Sequence, residues 1–161
     1  MDQLASWEDD AVNTLYCFVP RDLLWGQIYG LMGDAERERS SYESARVAVE
    51  SALEEFARDA RLHSALGIAY AGLGLKEDAL REGRKALELD PLDRDACVGP
   101  NRIADLAQIL TMVGEHDAAI DQLEHLLSVP GYHSAQLVSI DPTWDPLRDH
   151  PRFQKLLGEP R

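Results

Sequence analysis

The chain reads His63-Ser64-Ala65-Leu66-Gly67-Ile68-Ala69-Tyr70, and Gly74, Ala79, Ala86 and Pro91 follow at regular spacing. Gly67, Ala79 and Ala86 fall where two packed helices come closest, since larger side chains there would push the backbones apart. Gly74 marks a turn, and Pro91 ends the second helix because proline cannot continue one. We therefore predict an antiparallel pair of helices over residues 60–73 and 76–89.

The same spacing occurs twice more. Upstream, the matching residues are Trp25-Gly26, Tyr29 and Gly33, followed by Ala45, Val49 and Ala52 after seven extra residues. The extra residues fall within Asp34–Ser41 and form either added helical turns or a solvated loop. Downstream, the matching residues are Leu106-Ala107, Leu110, Gly114, Ala119 and Leu123. Since each helix pair leaves an apolar face open to the next, units over residues 20–59, 60–93 and 100–133 predict one continuous stack.

The two ends differ from the repeats, as the ends of a stack should. Within residues 1–19 we predict a leading helix, because apolar residues recur at helical spacing: Leu4, Trp7, Ala11, Leu15 and Phe18. Residues 134–161 are predicted to cap the stack, with prolines at two helix starts. The side chains expected to cover the last open face are Trp144, Leu147, Phe153, Leu156 and Leu157.

This spacing resembles the tetratricopeptide repeat, a helix–turn–helix unit of 34 residues. His63 stands where the family usually has Trp, and Gly83 where it has a bulky residue. The tail DPTWDPLRDHPRF, residues 141–153, is similar to the end of C-terminal tetratricopeptide regions in large bacterial signalling proteins, which follow a kinase, a cyclase or a winged-helix domain. The resemblance implies an all-α fold, a right-handed helical solenoid of three pairs with a leading helix and a C-terminal cap.

Composition limits the partners. The 161 residues carry a net charge of −13, and no segment is basic, so nucleic-acid binding is not expected. The uncharged stretch Leu23–Gly33 is about half of a bilayer span, and the first twenty residues contain no Lys or Arg, so we predict neither a membrane segment nor a secretory signal. Cys17 and Cys97 belong to no CxxC pair, and we interpret them as buried thiols in a cytoplasmic protein.

The sequence contains no recognisable catalytic motif. The glycines within residues 26–33 have helix-contact spacing rather than a phosphate-loop pattern, and no Ser lies in a Gly-x-Ser-x-Gly turn. His63 is expected to pack, and Asp121 and His125, one helical turn apart, can form only a weak surface pair. The repeat positions predict three core aromatics, Trp25, Tyr29 and Tyr70. We expect neither an enzyme nor a bound cofactor or metal.

The family resemblance implies that the first helix of each pair lines a concave groove. The predicted lining residues are Leu23, Gln27, Leu31, Arg61, Ser64, Ile68, Asn101, Gln108, Thr111 and Met112. This lining is mostly neutral and partly amide-rich, and the surrounding acidic charge favours a neutral or basic protein segment. We therefore expect a non-catalytic protein-interaction module that regulates or localises a signalling partner. Two alternatives stay open: a homo-oligomerisation or scaffold module, and a groove filled by the chain's own tail or an adjoining domain.

Overall fold

The computed structural model describes residues 11–95, 97–130 and 133–158, and within these ranges the chain is mostly helical. A short antiparallel hairpin comes first, formed by β1 (Ala11–Asn13) and β2 (Phe18–Pro20). The main helices are α1 (Arg21–Met32), α2 (Ala35–Glu55), α3 (Ala60–Gly72), α4 (Lys76–Leu89), α5 (Gly99–Met112) and α6 (His116–Ser128). The C-terminal part adds α7 (Ala135–Ile140), a 3-10 helix (Pro142–Leu147) and α8 (Pro151–Gly158). Apart from the hairpin, the described residues agree with the predicted all-helical class.

Turns of one geometry join α1 to α2, α3 to α4, and α5 to α6. Gly33, Gly74 and Gly114 follow the first helices with φ of 73°, 75° and 78°, a left-handed conformation that glycine adopts without steric cost. The N–H of the residue after each glycine donates to the carbonyl five residues earlier, at 2.9 Å in all three turns. Each second helix begins two residues after its glycine. The turns predicted at Gly74 and Gly114 are confirmed.

The extra residues of the first pair lengthen α2. Asp34 caps this helix, since its side chain accepts a hydrogen bond from the Arg37 N–H at 3.1 Å. Residues 35–41 are therefore the first turns of a helix and not a loop. Helix α2 has 21 residues and α4 has 14. Because both begin two residues after their glycine, the added length lies at the C-terminal end of α2, and the predicted position of the extra residues within Asp34–Ser41 is wrong.

Small residues bring the helices into close contact. A Cβ added at Gly67 of α3 would lie 3.2 Å from the Ala79 carbonyl oxygen in α4 and 2.6 Å from Ile109 Cδ1 in α5. Gly72, at the end of α3, faces the buried ring of Tyr42 from α2. Each pair also contacts the next, through α2 with α3 and α4 with α5. The three pairs thus share one hydrophobic core.

The C-terminal segment covers the last pair, as the sequence predicts. The 3-10 helix contacts α5, and α8 contacts α6. The Arg152 guanidinium joins α8 to α6 through Asp121 at 2.6 Å and Glu124 at 3.0 Å, so Asp121 pairs with Arg152 rather than His125. Of the predicted cap residues, three are buried and two half-buried: Trp144, Leu147 and Phe153, then Leu156 and Leu157.

The predicted leading helix is wrong where the structure describes it. Residues 11–20 form the hairpin, with Val12 opposite Val19. The spacing of Ala11, Leu15 and Phe18 suits a helix, yet only Phe18 is buried and Leu15 is 68% exposed. The other two residues of the pattern, Leu4 and Trp7, lie outside the described residues.

The prediction of a core aromatic is also wrong for Trp25. Its side chain is 42% exposed and stacks on half-buried Tyr29, with 5.5 Å between the ring centroids. The Arg37 guanidinium lies 5.0 Å above the Tyr29 ring. Tyr70 is half-buried, and its hydroxyl donates to Glu50 at 2.7 Å. Trp25 differs because it lies on the first helix of the stack, where no other described helix pair precedes it.

Candidate functional site

The first helices of the three pairs meet around a cavity of about 180 Å³. Its walls come from α1, α3 and α5 and from the end of the hairpin. The cavity brings together six of the ten residues predicted to line a groove: Leu23, Gln27, Arg61, Ser64, Ile68 and Gln108. The amide groups of Gln27 and Gln108 therefore face a common space from helices that are far apart in sequence.

The other four predicted residues lie elsewhere. Leu31 is 67% exposed near the end of α1. The Asn101 side-chain amide donates to the Val98 carbonyl at 3.2 Å. Thr111 is buried, and its hydroxyl donates to the Ala107 carbonyl within α5 at 2.8 Å. Met112 is half-buried at the end of α5. None of these four lines the cavity.

The hairpin closes one side of the cavity, through Cys17, Phe18 and Val19. Phe18 is 8% exposed and belongs to the core. Just before it, the Tyr16 hydroxyl lies 3.6 Å from Cys97 Sγ. Cys97 is exposed and Cys17 half-buried, so the expectation of two buried thiols is wrong. The surface of the first helices is thus partly covered by the chain's own N-terminal segment.

Arg61 of α3 holds the tip of the hairpin. Its Nη1 donates to Asn13 Oδ1 at 3.0 Å and to the Thr14 carbonyl at 2.6 Å. Its Nε and Nη2 donate to the two carboxylate oxygens of Asp59 at 3.0 and 2.6 Å. Burial raises the pKa of Asp59, but the hydrogen bonds from Arg61 outweigh burial and the pKa falls below its ordinary value. The aspartate therefore stays ionised and fixes the guanidinium in place.

Arg102 of α5 lies deeper and is fully buried. Its Nη2 donates to the Tyr16 carbonyl, and its Nε lies 3.3 Å from Asp105 Oδ2. Burial raises the pKa of Asp105, and the positive charge of Arg102 partly opposes this shift. Two nitrogens of the buried Arg102 guanidinium group, Nε and Nη1, have no hydrogen-bond partner. A guanidinium can only donate hydrogen bonds, so Arg102 keeps unused donors in the wall of the cavity.

Neither Arg102 nor Asp105 was among the residues predicted from the sequence. A signal exists, because they are the two charged residues of an otherwise uncharged helix and stand three positions apart, on one face. The hairpin residues left no comparable signal, since Arg61 and Arg102 bind them from 47 and 86 residues away.

His63 lies outside the cavity and has a structural role. The ring is buried as predicted, with Nδ1 2.7 Å from Glu82 Oε2 in α4 and Nε2 3.1 Å from the Ala57 carbonyl. The hydrogen bond with Glu82 raises the pKa of His63, and the same bond lowers the pKa of Glu82. The ring thus ties α3 both to α4 and to the segment before α3.

Within the described ranges, no cluster of three or more His, Cys, Asp or Glu side chains is arranged to hold a metal ion. None of the helices described has the length and apolar character needed to cross a membrane. No protein-family model matches the sequence, and no curated protein is significantly similar to it.

Proposed function

We propose that the chain is a tetratricopeptide-like solenoid of three helix pairs. Three observations support this assignment. The pairs share one turn geometry, close helix contacts lie at Gly26 and Gly67, which the repeat spacing selects, and each pair contacts the next in chain order. Stacked pairs of this kind form extended concave surfaces, which such proteins use for binding.

The function that this surface supports best is recognition of an extended protein segment. The observation that carries the proposal is that this surface already binds main-chain carbonyls, those at the tip of the hairpin. Residues 13–18 lie across α3 and α5, and Arg61 and Arg102 donate to the main-chain carbonyls of Thr14 and Tyr16. A partner segment would use the same kind of contact, with its backbone oxygens accepting from side chains of the first helices.

The chemistry of the cavity favours a neutral or basic segment. Gln27 and Gln108, which line the cavity, can both donate to and accept from the backbone of a partner segment. Asp105 already balances the charge of Arg102, and the chain carries −13 overall. An acidic segment would therefore meet repulsion, as a nucleic acid would.

In this proposal the module is non-catalytic and acts by holding a signalling partner in place or by regulating it. The signalling context rests on the resemblance of residues 141–153 to the ends of bacterial signalling proteins. The ionisable groups around the cavity support a binding role, since Asp59, Arg61, Arg102 and Asp105 are paired with one another or with the hairpin.

The experiment starts from a partner recovered by affinity capture with the full chain from a native extract. Its affinity is then measured by calorimetry for wild type, Gln108→Glu and Gln27→Glu. A carboxylate added beside Asp105 should weaken binding about tenfold, which corresponds to about 1.4 kcal/mol. Gln136→Glu makes the same chemical change on exposed α7 and should bind normally.

Melting curves of the three variants should match wild type, so that the loss is one of binding and not of folding. The proposal fails if both cavity variants bind like wild type while charge changes on the second helices abolish binding. That outcome would put the functional surface on the convex side.

A further inference from the structure

Helix α1 carries an exposed apolar face at one end of the stack. Five large side chains form this face: Leu24 (38% exposed), Trp25 (42%), Ile28 (41%), Leu31 (67%) and Met32 (67%). Counted from Leu24, the other four lie one, four, seven and eight residues later, and this spacing places all five on one side of the helix. The stretch Leu23–Gly33 contains no charged residue. Together these side chains expose on the order of 500 Å² of apolar surface, near the upper end of what monomers carry.

The later pairs indicate what this face is built to contact. With Gly26 matched to Ala107, Trp25 and Ile28 correspond to Leu106 and Ile109 of α5. Leu106 and Ile109 are buried, and their methyl groups pack against Gly83 and Gly67 of the preceding pair. The face on α1 is therefore the surface through which a first helix packs on the pair before it. Among the described residues, no helix pair occupies that place.

The opposite end of the stack is closed. Trp144, Leu147 and Phe153 are 6%, 0% and 0% exposed, and their segments contact α5 and α6. Among the described residues, this end exposes two separate large apolar side chains, Leu137 and Ile140 on α7, and no continuous apolar face like that of α1. Head-to-tail stacking into a filament is therefore disfavoured. The open face of one copy is matched best by the open face of another, which is the geometry of a closed two-fold dimer.

We propose that two copies of this chain associate through their α1 faces. The apolar area that each copy offers is a large part of the roughly 800 Å² per partner that a stable interface buries. Because the face is uncharged, the two copies meet without bringing acidic side chains together, although each carries −13. Trp25, held by its stack on Tyr29, is an aromatic anchor of the type that dominates interface energies.

The test is the mass of the full chain in solution, measured by light scattering at low and at high micromolar concentration. Wild type should have about twice the 18.0 kDa of one chain. Leu31→Arg and Met32→Arg should each reduce the mass to that of one chain. Because both residues are 67% exposed, the variants should keep the helical circular-dichroism spectrum of wild type, and their melting temperatures should fall only by the stability that the dimer adds. Ile140→Arg, at a residue 74% exposed on α7, is the matched control and should remain dimeric.

A cross-linking measurement tests the two-fold geometry separately. Ile28 lies at the middle of the face, so Ile28→Cys should be joined to its counterpart by a short bismaleimide far more efficiently than wild type, which has Cys17 and Cys97. The proposal is overturned by a wild-type monomer at every concentration, by dimers that persist in Leu31→Arg, by loss of the dimer in Ile140→Arg, or by an Ile28→Cys variant that does not cross-link. The substituted residues Ile28, Leu31, Met32 and Ile140 do not line the cavity, so these results do not test binding there.

Discussion

Gly72→Ala tests the contact between the first and second helix pairs. An added Cβ would overlap the Tyr42 ring at Cδ2, Cε2 and Cζ, with Cζ at 2.5 Å. Tyr42 is 2% exposed, so its rigid ring cannot turn aside without moving its neighbours. The substitution should therefore push α2 and α3 apart.

The expected loss follows from two opposing effects. Forcing extra volume into a packed core costs about 1–3 kcal/mol, whereas alanine gains up to about 1 kcal/mol over glycine as a helix former, and less at a helix end. The net loss should be about 1–2 kcal/mol, or roughly 3–6 °C in Tm for a chain of this length. Urea unfolding followed by far-ultraviolet circular dichroism measures it directly.

Gly30→Ala is the matched control. There an added Cβ would meet only the end of the Glu38 side chain, with Oε1 at 2.9 Å, and a flexible carboxylate can move away. This variant should be unchanged or more stable by up to about 1 kcal/mol. In a Tyr42→Ala background, Gly72→Ala should no longer lower the free energy of unfolding, because the ring that the added methyl group would overlap is absent. If Gly72→Ala is as stable as wild type, or costs the same without the ring, the packing between α2 and α3 is not as described.

Three other predictions concern stability. Gly67→Leu should cost about 3 kcal/mol or more in urea unfolding, since even its Cβ lies 2.6 Å from Ile109 Cδ1; a normal midpoint would contradict the helix register. Phe153→Ala should cost about 3–5 kcal/mol because the ring is fully buried in the cap, and a loss well below that range would argue against the cap. The raised pKa of His63 gives stability that is complete below its ordinary 6.5 and lost as pH rises through the folded value. The lowered pKa of Glu82 gives stability that is complete above 4.5 and lost as pH falls through the folded value. The difference in unfolding free energy between wild type and Glu82→Gln should thus shrink from about pH 5.5 to about pH 8.5, and a constant difference would refute the pair.

The middle helix pair could be predicted from the sequence almost to the residue. The predicted helices over 60–73 and 76–89 are observed as Ala60–Gly72 and Lys76–Leu89. Their signals are local, because the small residues, the turn glycine and the closing proline all lie within one unit. The cap was also predictable from local signals, because the prolines at helix starts and the apolar residues that follow them all lie within residues 141–157.

The errors arise where distant parts of the chain decide the outcome. Trp25 has the same place in its pair as Leu66, which is 4% exposed, but among the described residues only the later helix has a pair before it. The hairpin is held by hydrogen bonds from Arg61 and Arg102, which lie on distant helices. The spacing of apolar residues within 11–18 contains no information about those bonds, so it predicts a helix. At the cavity, six lining residues followed from repeat position, whereas the signal for Arg102 and Asp105 was their charge on an otherwise uncharged helix. That signal does not indicate which other helices face them.

The three turn glycines allow the same substitution to be tested at three equivalent positions of one chain. Gly33, Gly74 and Gly114 have nearly the same φ, and an added Cβ would meet no atom within 4 Å at any of them. Alanine at each position would lower the free energy of unfolding by the same amount, about 1–2 kcal/mol, because the left-handed backbone conformation is unfavourable for alanine. If the domain unfolds in one cooperative step, the three variants lose equal stability. Unequal losses would mean that the pairs unfold separately, so one substitution made three times reports how cooperative the domain is.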